Sequence, residues 1–79
     1  MWREGTIEIP NSEGQKVQVY CWVKCFDEPS EWGLEEGRIS KLMIKQDGNV
    51  VYNFDRGEDI APQTPEAEAA LAILMKAYN

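Results

Sequence analysis

From Lys16 to Phe26 the chain alternates Val17, Val19, Cys21, Val23 and Cys25 with Lys16, Gln18, Tyr20, Trp22, Lys24 and Phe26, the period of a half-buried strand. The segment before it, "WREGTIEIP", reads as another strand, ended by Pro10 and followed by turn residues Asn11 to Gly14. Further on, "RISKLMIK" and "VVYNF" flank "QDGN", a hairpin signal. The predicted strands lie near 2–9, 16–26, 38–45 and 50–54. For the last hairpin a three-residue loop, Gln46 to Gly48, is preferred, because it sets Ile44 opposite Val50, Leu42 opposite Tyr52 and Ser40 opposite Phe54 and so gathers one apolar face.

The segment 65–78 changes period. Ala67, Ala70, Leu71, Leu74, Ala77 and Tyr78 fall on one helical stripe. Thr64 is placed to cap the helix, Pro65 suits its first position, and Glu66 and Glu68 sit at the positive end of its dipole. One amphipathic helix covers one face of a sheet. The expected fold is therefore α+β: a four-stranded antiparallel meander with one C-terminal helix packed on one face, forming a single domain over residues 1–79.

Strand parity then sorts the side chains. Ile7, Ile9, Val17, Val19, Cys21, Val23, Leu42, Ile44, Val50, Tyr52 and Phe54 are expected under the helix. The opposite face receives Trp2, Tyr20, Trp22, Phe26, Met43 and Val51, interspersed with Lys16, Lys24, Lys41 and Lys45, and with Glu4, Thr6 and Glu8 on the first strand. Half of that face is aromatic or aliphatic, which an open sheet face in water does not require.

Residues 27–37 are an acidic loop: Asp27, Glu28, Glu31, Glu35 and Glu36 with no cation, yet with Trp32 and Leu34 among them. The preferred reading is a compact loop in which Trp32 and Leu34 fold back as a partial lid on the open face. The alternative leaves Trp32 exposed as an anchor for a partner. A homodimer or a partner contact beside the lid would complete the cover.

Fourteen acidic residues against eight cationic ones give a net charge of −6. Ten of the fourteen fall in two stretches, 27–36 and 55–68. This balance opposes direct binding to nucleic acid or to an anionic membrane, since phosphate neutralisation requires Lys and Arg. The start, "MWREG", lacks the apolar core of a secretion signal, and the longest apolar run, Ala69 to Met75, is too short to cross a bilayer. Cys21 and Cys25, four residues apart in a strand, stand about 13 Å apart, beyond disulfide reach. Buried free thiols and a cytoplasmic location follow.

Histidine is absent, which removes the commonest general base and the usual partner of a nucleophilic Ser or Cys. Two Cys without His do not make a zinc site, "DRGEDI" lacks the spacing of a calcium loop, and no phosphate-binding glycine motif occurs. Neither enzyme chemistry nor a cofactor is expected. "MWREGTI", "DEPSEWGLEEGRISKL" and "NFDRGEDIAP" resemble an uncharacterised family of short proteins from gut-type Gram-positive bacteria, their phages and mobile elements. That family brings no activity to transfer; it implies a mobile-element origin and the domain boundaries. Small acidic phage proteins that inhibit host defence are similar in style only.

The expected function is a non-enzymatic acidic binding protein that occupies a basic protein surface, with Tyr20, Trp22, Trp32, Asp27, Glu28, Glu31, Glu35 and Glu36 as the partner-binding residues. The alternative is a nucleotide-binding sponge formed at a homo-oligomer interface, where Tyr20 or Trp22 stacks a base and Lys24 or Arg38 meets phosphate.

Overall fold

The computed structural model describes all 79 residues. Five strands, not four, form one antiparallel meander in the order β1-β2-β3-β4-β5: β1 Trp2–Pro10, β2 Lys16–Cys25, β3 Ile39–Gln46, β4 Asn49–Asp55 and β5 Glu58–Ile60. Helix α1, Pro65–Tyr78, crosses β1, β2 and β3 on one face. The fifth strand falls inside the second acidic stretch. It is three residues long, "EDI", and carries no apolar alternation by which a pattern could reveal it. Arg56 in the left-handed region (φ 60) makes the tight return, closed by Asp55 N–H donating to the Gly57 carbonyl at 3.0 Å.

The last long hairpin corrects the expected register. Asp47 (φ 53) and Gly48 (φ 80) form a two-residue turn with both central residues left-handed, and Gln46 pairs with Asn49 and Lys45 with Val50. A bulge follows: Ile44 pairs with Tyr52 and Leu42 with Phe54, leaving Val51 as the extra residue. The bulge rescues the apolar face that the turn alone would break. It also exchanges two side chains, since Val51 is buried in the core and Val50, expected there, is only partly covered. The freed Val51 carbonyl accepts from Gln63 N–H at 2.9 Å, which ties the chain entering α1 to the sheet.

The core consists of fifteen buried side chains, among them Val19, Val23, Ile39, Leu42, Ile44 and Tyr52 from the sheet and Ala67, Ala70 and Leu74 from the helix. Cys21 and Cys25 are buried and unbridged. The helix start is fixed as its residues imply: Ala67 N–H donates to Thr64 Oγ1 (3.0 Å), Thr64 Oγ1 donates to Gln46 Oε1 (2.7 Å), and Gln46 Nε2 donates to Glu66 Oε1 (2.9 Å), so the cap is bound to the end of β3. The stripe differs at its end, where Ala77 is exposed and Met75 packs against the core instead.

Candidate functional site: the open sheet face and its loop cleft

Nothing in the chain covers the face opposite the helix. Its rows follow from the pairing: Trp2, Lys24, Lys41 and Asp55 lie across the sheet, beside Glu4, Trp22, Met43 and Asn53, beside Thr6, Tyr20, Lys45 and Val50. Trp2 and Trp22, diagonal neighbours, stack with ring centroids 4.3 Å apart and planes 23° apart. Lys24 Nζ stands 5.0 Å from the Trp2 ring centre and 5.3 Å from that of Phe26, so one ammonium links the tryptophan stack to the next aromatic ring. Lys41 pairs with Asp55 at 3.8 Å.

Tyr20 Oη donates to Glu4 across the strands, and this hydrogen bond, then desolvation, then the Glu4 charge hold the phenol above its ordinary pKa. Trp2, Tyr20 and Phe26 remain exposed. They form an aromatic ribbon that runs from the middle of the sheet toward the acidic loop.

The loop is not a lid. Trp32 is 67% exposed, against 7% for Leu34, so Leu34 is the loop's one buried side chain. The expected fold-back of Trp32 fails because the loop is held at its neck, away from the sheet's centre. Phe26 N–H donates to Arg38 carbonyl and Ser30 N–H to Gly37 carbonyl, both at 3.0 Å. Asn79, just past the helix, accepts from Ile39 N–H (2.9 Å) and donates to the Leu34 carbonyl (3.0 Å). A side chain at Gly33 would strike the Gly37 carbonyl, and one at Gly37 would strike the Asn79 amide. The two glycines thus let the loop's two strands and the helix end meet.

The loop carboxylates Asp27, Glu28, Glu31, Glu35 and Glu36 are all exposed, and none forms an ion pair with the lysines of the open face; the side-chain pairs present are Lys16–Glu8 and Lys41–Asp55. Glu35 and Glu36 occupy a single 3₁₀ turn, Leu34–Glu36, both with left-handed backbone (φ 50 and 58). Between loop and sheet lies a cleft of about 530 Å³ whose lining includes Phe26, Trp32, Arg38 and Arg56.

Of the eight residues expected to bind a partner, Tyr20 and Trp22 thus lie on the open face, Trp32 lines the cleft, and the five acids of the loop face water without lining it. Trp2, Phe26, Arg56 and Asn79 complete the arrangement without having been expected among its binding residues. Trp2 and Phe26 carry a signal in strand parity; Asn79 carries none.

Across residues 1–79 the chain matches DUF7678, a domain of unknown function. It belongs to that family. No curated protein and no solved structure matches it. Membership of DUF7678 agrees with the resemblance to an uncharacterised family and assigns no chemistry. No helix of the structure is long and apolar enough to cross a membrane.

Proposed function

We propose that this DUF7678 protein is a non-enzymatic binding module that docks a protein partner on its open sheet face, with the acidic loop steering a basic surface onto the aromatic ribbon. The observation that carries the proposal is the set of exposed aromatics Trp2, Tyr20, Phe26 and Trp32, with Trp22 half covered beneath Trp2, together with five exposed, unpaired loop carboxylates. Exposed aromatic surface rimmed by charge is the composition of protein interfaces, where Trp and Tyr dominate the energetics. The net charge of −6 selects a cationic partner and speeds its approach. The two buried, unbridged cysteines fit a cytoplasmic setting. Basic channels of host-defence proteins are the first partner class to test, given the resemblance to proteins of phages and mobile elements.

The test is photo-crosslinking from a reactive residue placed at position 22 and, separately, at position 73 on the exposed side of the helix. The proposal expects adducts from position 22 alone, to a protein whose contact surface is basic, and their loss when Glu28, Glu31, Glu35 and Glu36 are all changed to Gln. Equal yields from both positions would refute it, as would an adduct only to a second copy of this chain.

A further inference from the structure

The cleft between the acidic loop and the sheet has a composition opposite to that of the chain. Fourteen carboxylates are present in the protein, yet none lines this cleft, while two of its three arginines, Arg38 and Arg56, do. Neither guanidinium is engaged in an ion pair. Two aromatic rings, Phe26 and Trp32, share the same walls, and both are at least half exposed. The volume of about 530 Å³ lies within the range of small-molecule sites, about 300–1,000 Å³.

The backbone around the cleft is specialised. Arg56 holds a left-handed conformation (φ 60) that side-chain-bearing residues seldom adopt, and its N–H donates to the Ser40 carbonyl at 3.3 Å, which fixes the turn carrying the guanidinium against β3. On the other wall, the close approach of Gly33 to Gly37 lets the loop fold tightly enough to bring Trp32 and Arg38 into the same cleft. Arginine forks bind phosphate oxygens in pairs, and flat rings bind aromatic faces by stacking.

We propose that this cleft is a binding site, complete within one copy of the chain, for a small planar aromatic phosphate of mononucleotide size. Phe26 and Trp32 take the ring system, and Arg38 and Arg56 take the phosphate. This site is distinct from a nucleotide pocket shared between subunits; it shares Phe26 and Trp32 with the proposed docking surface but is tested on the isolated protein, so it stands or falls independently of that role. The net charge of −6 repels anions at long range, so binding rests on the short-range contacts of the two guanidiniums and the two rings.

The experiment is a titration of the isolated protein, followed by amide NMR, with AMP and UMP, with adenosine, and with inorganic phosphate, for the wild type and for Arg38→Gln, Arg56→Gln and Trp32→Ala. Helix circular dichroism checks that each variant is folded. Saturable shifts confined to residues 26–40 and 55–57 are expected with the nucleotides. Arg38→Gln and Arg56→Gln are each expected to weaken nucleotide binding about tenfold or more without affecting adenosine. Trp32→Ala is expected to weaken nucleotide and adenosine alike. The absence of saturable shifts at millimolar nucleotide would overturn the proposal. So would undiminished binding in both arginine variants, or inorganic phosphate binding as tightly as AMP.

Discussion

Tyr52 is the largest fully buried side chain of the core, and its hydroxyl has no hydrogen-bond partner in the protein. Burial pushes its pKa up to about 12, with the charges of Glu58 and Glu35 adding to the shift. An unpaired buried hydroxyl costs about 1–3 kcal/mol, so Tyr52→Phe, which keeps the ring and removes the oxygen, should stabilise the fold by about 1–2 kcal/mol at neutral pH. The pH dependence gives an independent check. Because the folded pKa lies above the ordinary value of 10, the unfolded chain loses its proton first. The stability linked to this group is complete below pH 10 and declines as pH rises toward 12. At pH 11 the decline is about 1.4 kcal/mol. Tyr52→Phe lacks it, so the gap between variant and wild type should widen by that amount between pH 9 and pH 11 in urea melts followed by helix circular dichroism. Cys21, pushed up to about 11 by burial, titrates in the same interval but does so in both proteins. A variant that is less stable than wild type at pH 7, or a gap that stays constant with pH, would show that the hydroxyl is satisfied and the reasoning wrong.

Leu74→Ala removes a buried side chain between helix and sheet and should cost about 2–5 kcal/mol, enough to unfold most of so small a domain; a urea midpoint within error of wild type would deny the helix its place on the core. Gly5 faces the helix side of β1, where an added methyl group would meet no atom within 4 Å, so Gly5→Ala should gain about 0.5–1 kcal/mol in the same melt. Asn79→Ala leaves the Ile39 N–H and the Leu34 carbonyl without their partner and should cost about 1–3 kcal/mol, with hydrogen exchange accelerating across residues 27–37 while the sheet centre stays protected. Trp32→Ala should leave the melt almost unchanged, because the indole is exposed; a loss above about 1 kcal/mol would restore the lid.

Where a periodic signal existed, the elements could be read from the residues. Val19 to Cys25 and the stripe through Leu74 define which faces are buried, and Thr64 with Pro65 defines where the helix begins. The errors lie where one residue breaks the period. Strand parity carried past position 50 puts Val51 on the wrong face, because the bulge that compensates for the Asp47–Gly48 turn is a choice between nearly equivalent pairings, settled by burying Tyr52 and Phe54. β5 escapes because three residues cannot show a period, and its pairing depends on the left-handed Arg56. The preferred lid reading of Trp32 fails for a different reason, while its alternative, an exposed indole, matches the structure. Hydrophobicity says that an indole gains by burial, but the loop's position is set by its neck, where Gly33, Gly37, Leu34 and the distant Asn79 converge, and a contact between residues 34 and 79 leaves no local trace in a sequence. The open aromatic face was legible from parity; the two arginines of the cleft, 18 positions apart, were not legible as a pair.

The docking role of the open face is tested most directly by oxidative footprinting of the tryptophans of the wild-type chain with and without the partner that crosslinking identifies. In the free protein Trp32 should oxidise fastest and Trp22, half covered by Trp2, slowest. In the complex Trp2, Trp22 and Trp32 should all be protected, while Met75 at the helix keeps its free rate. Unchanged tryptophan rates in the complex, or protection confined to the helix, would place the partner elsewhere and contradict the proposed function.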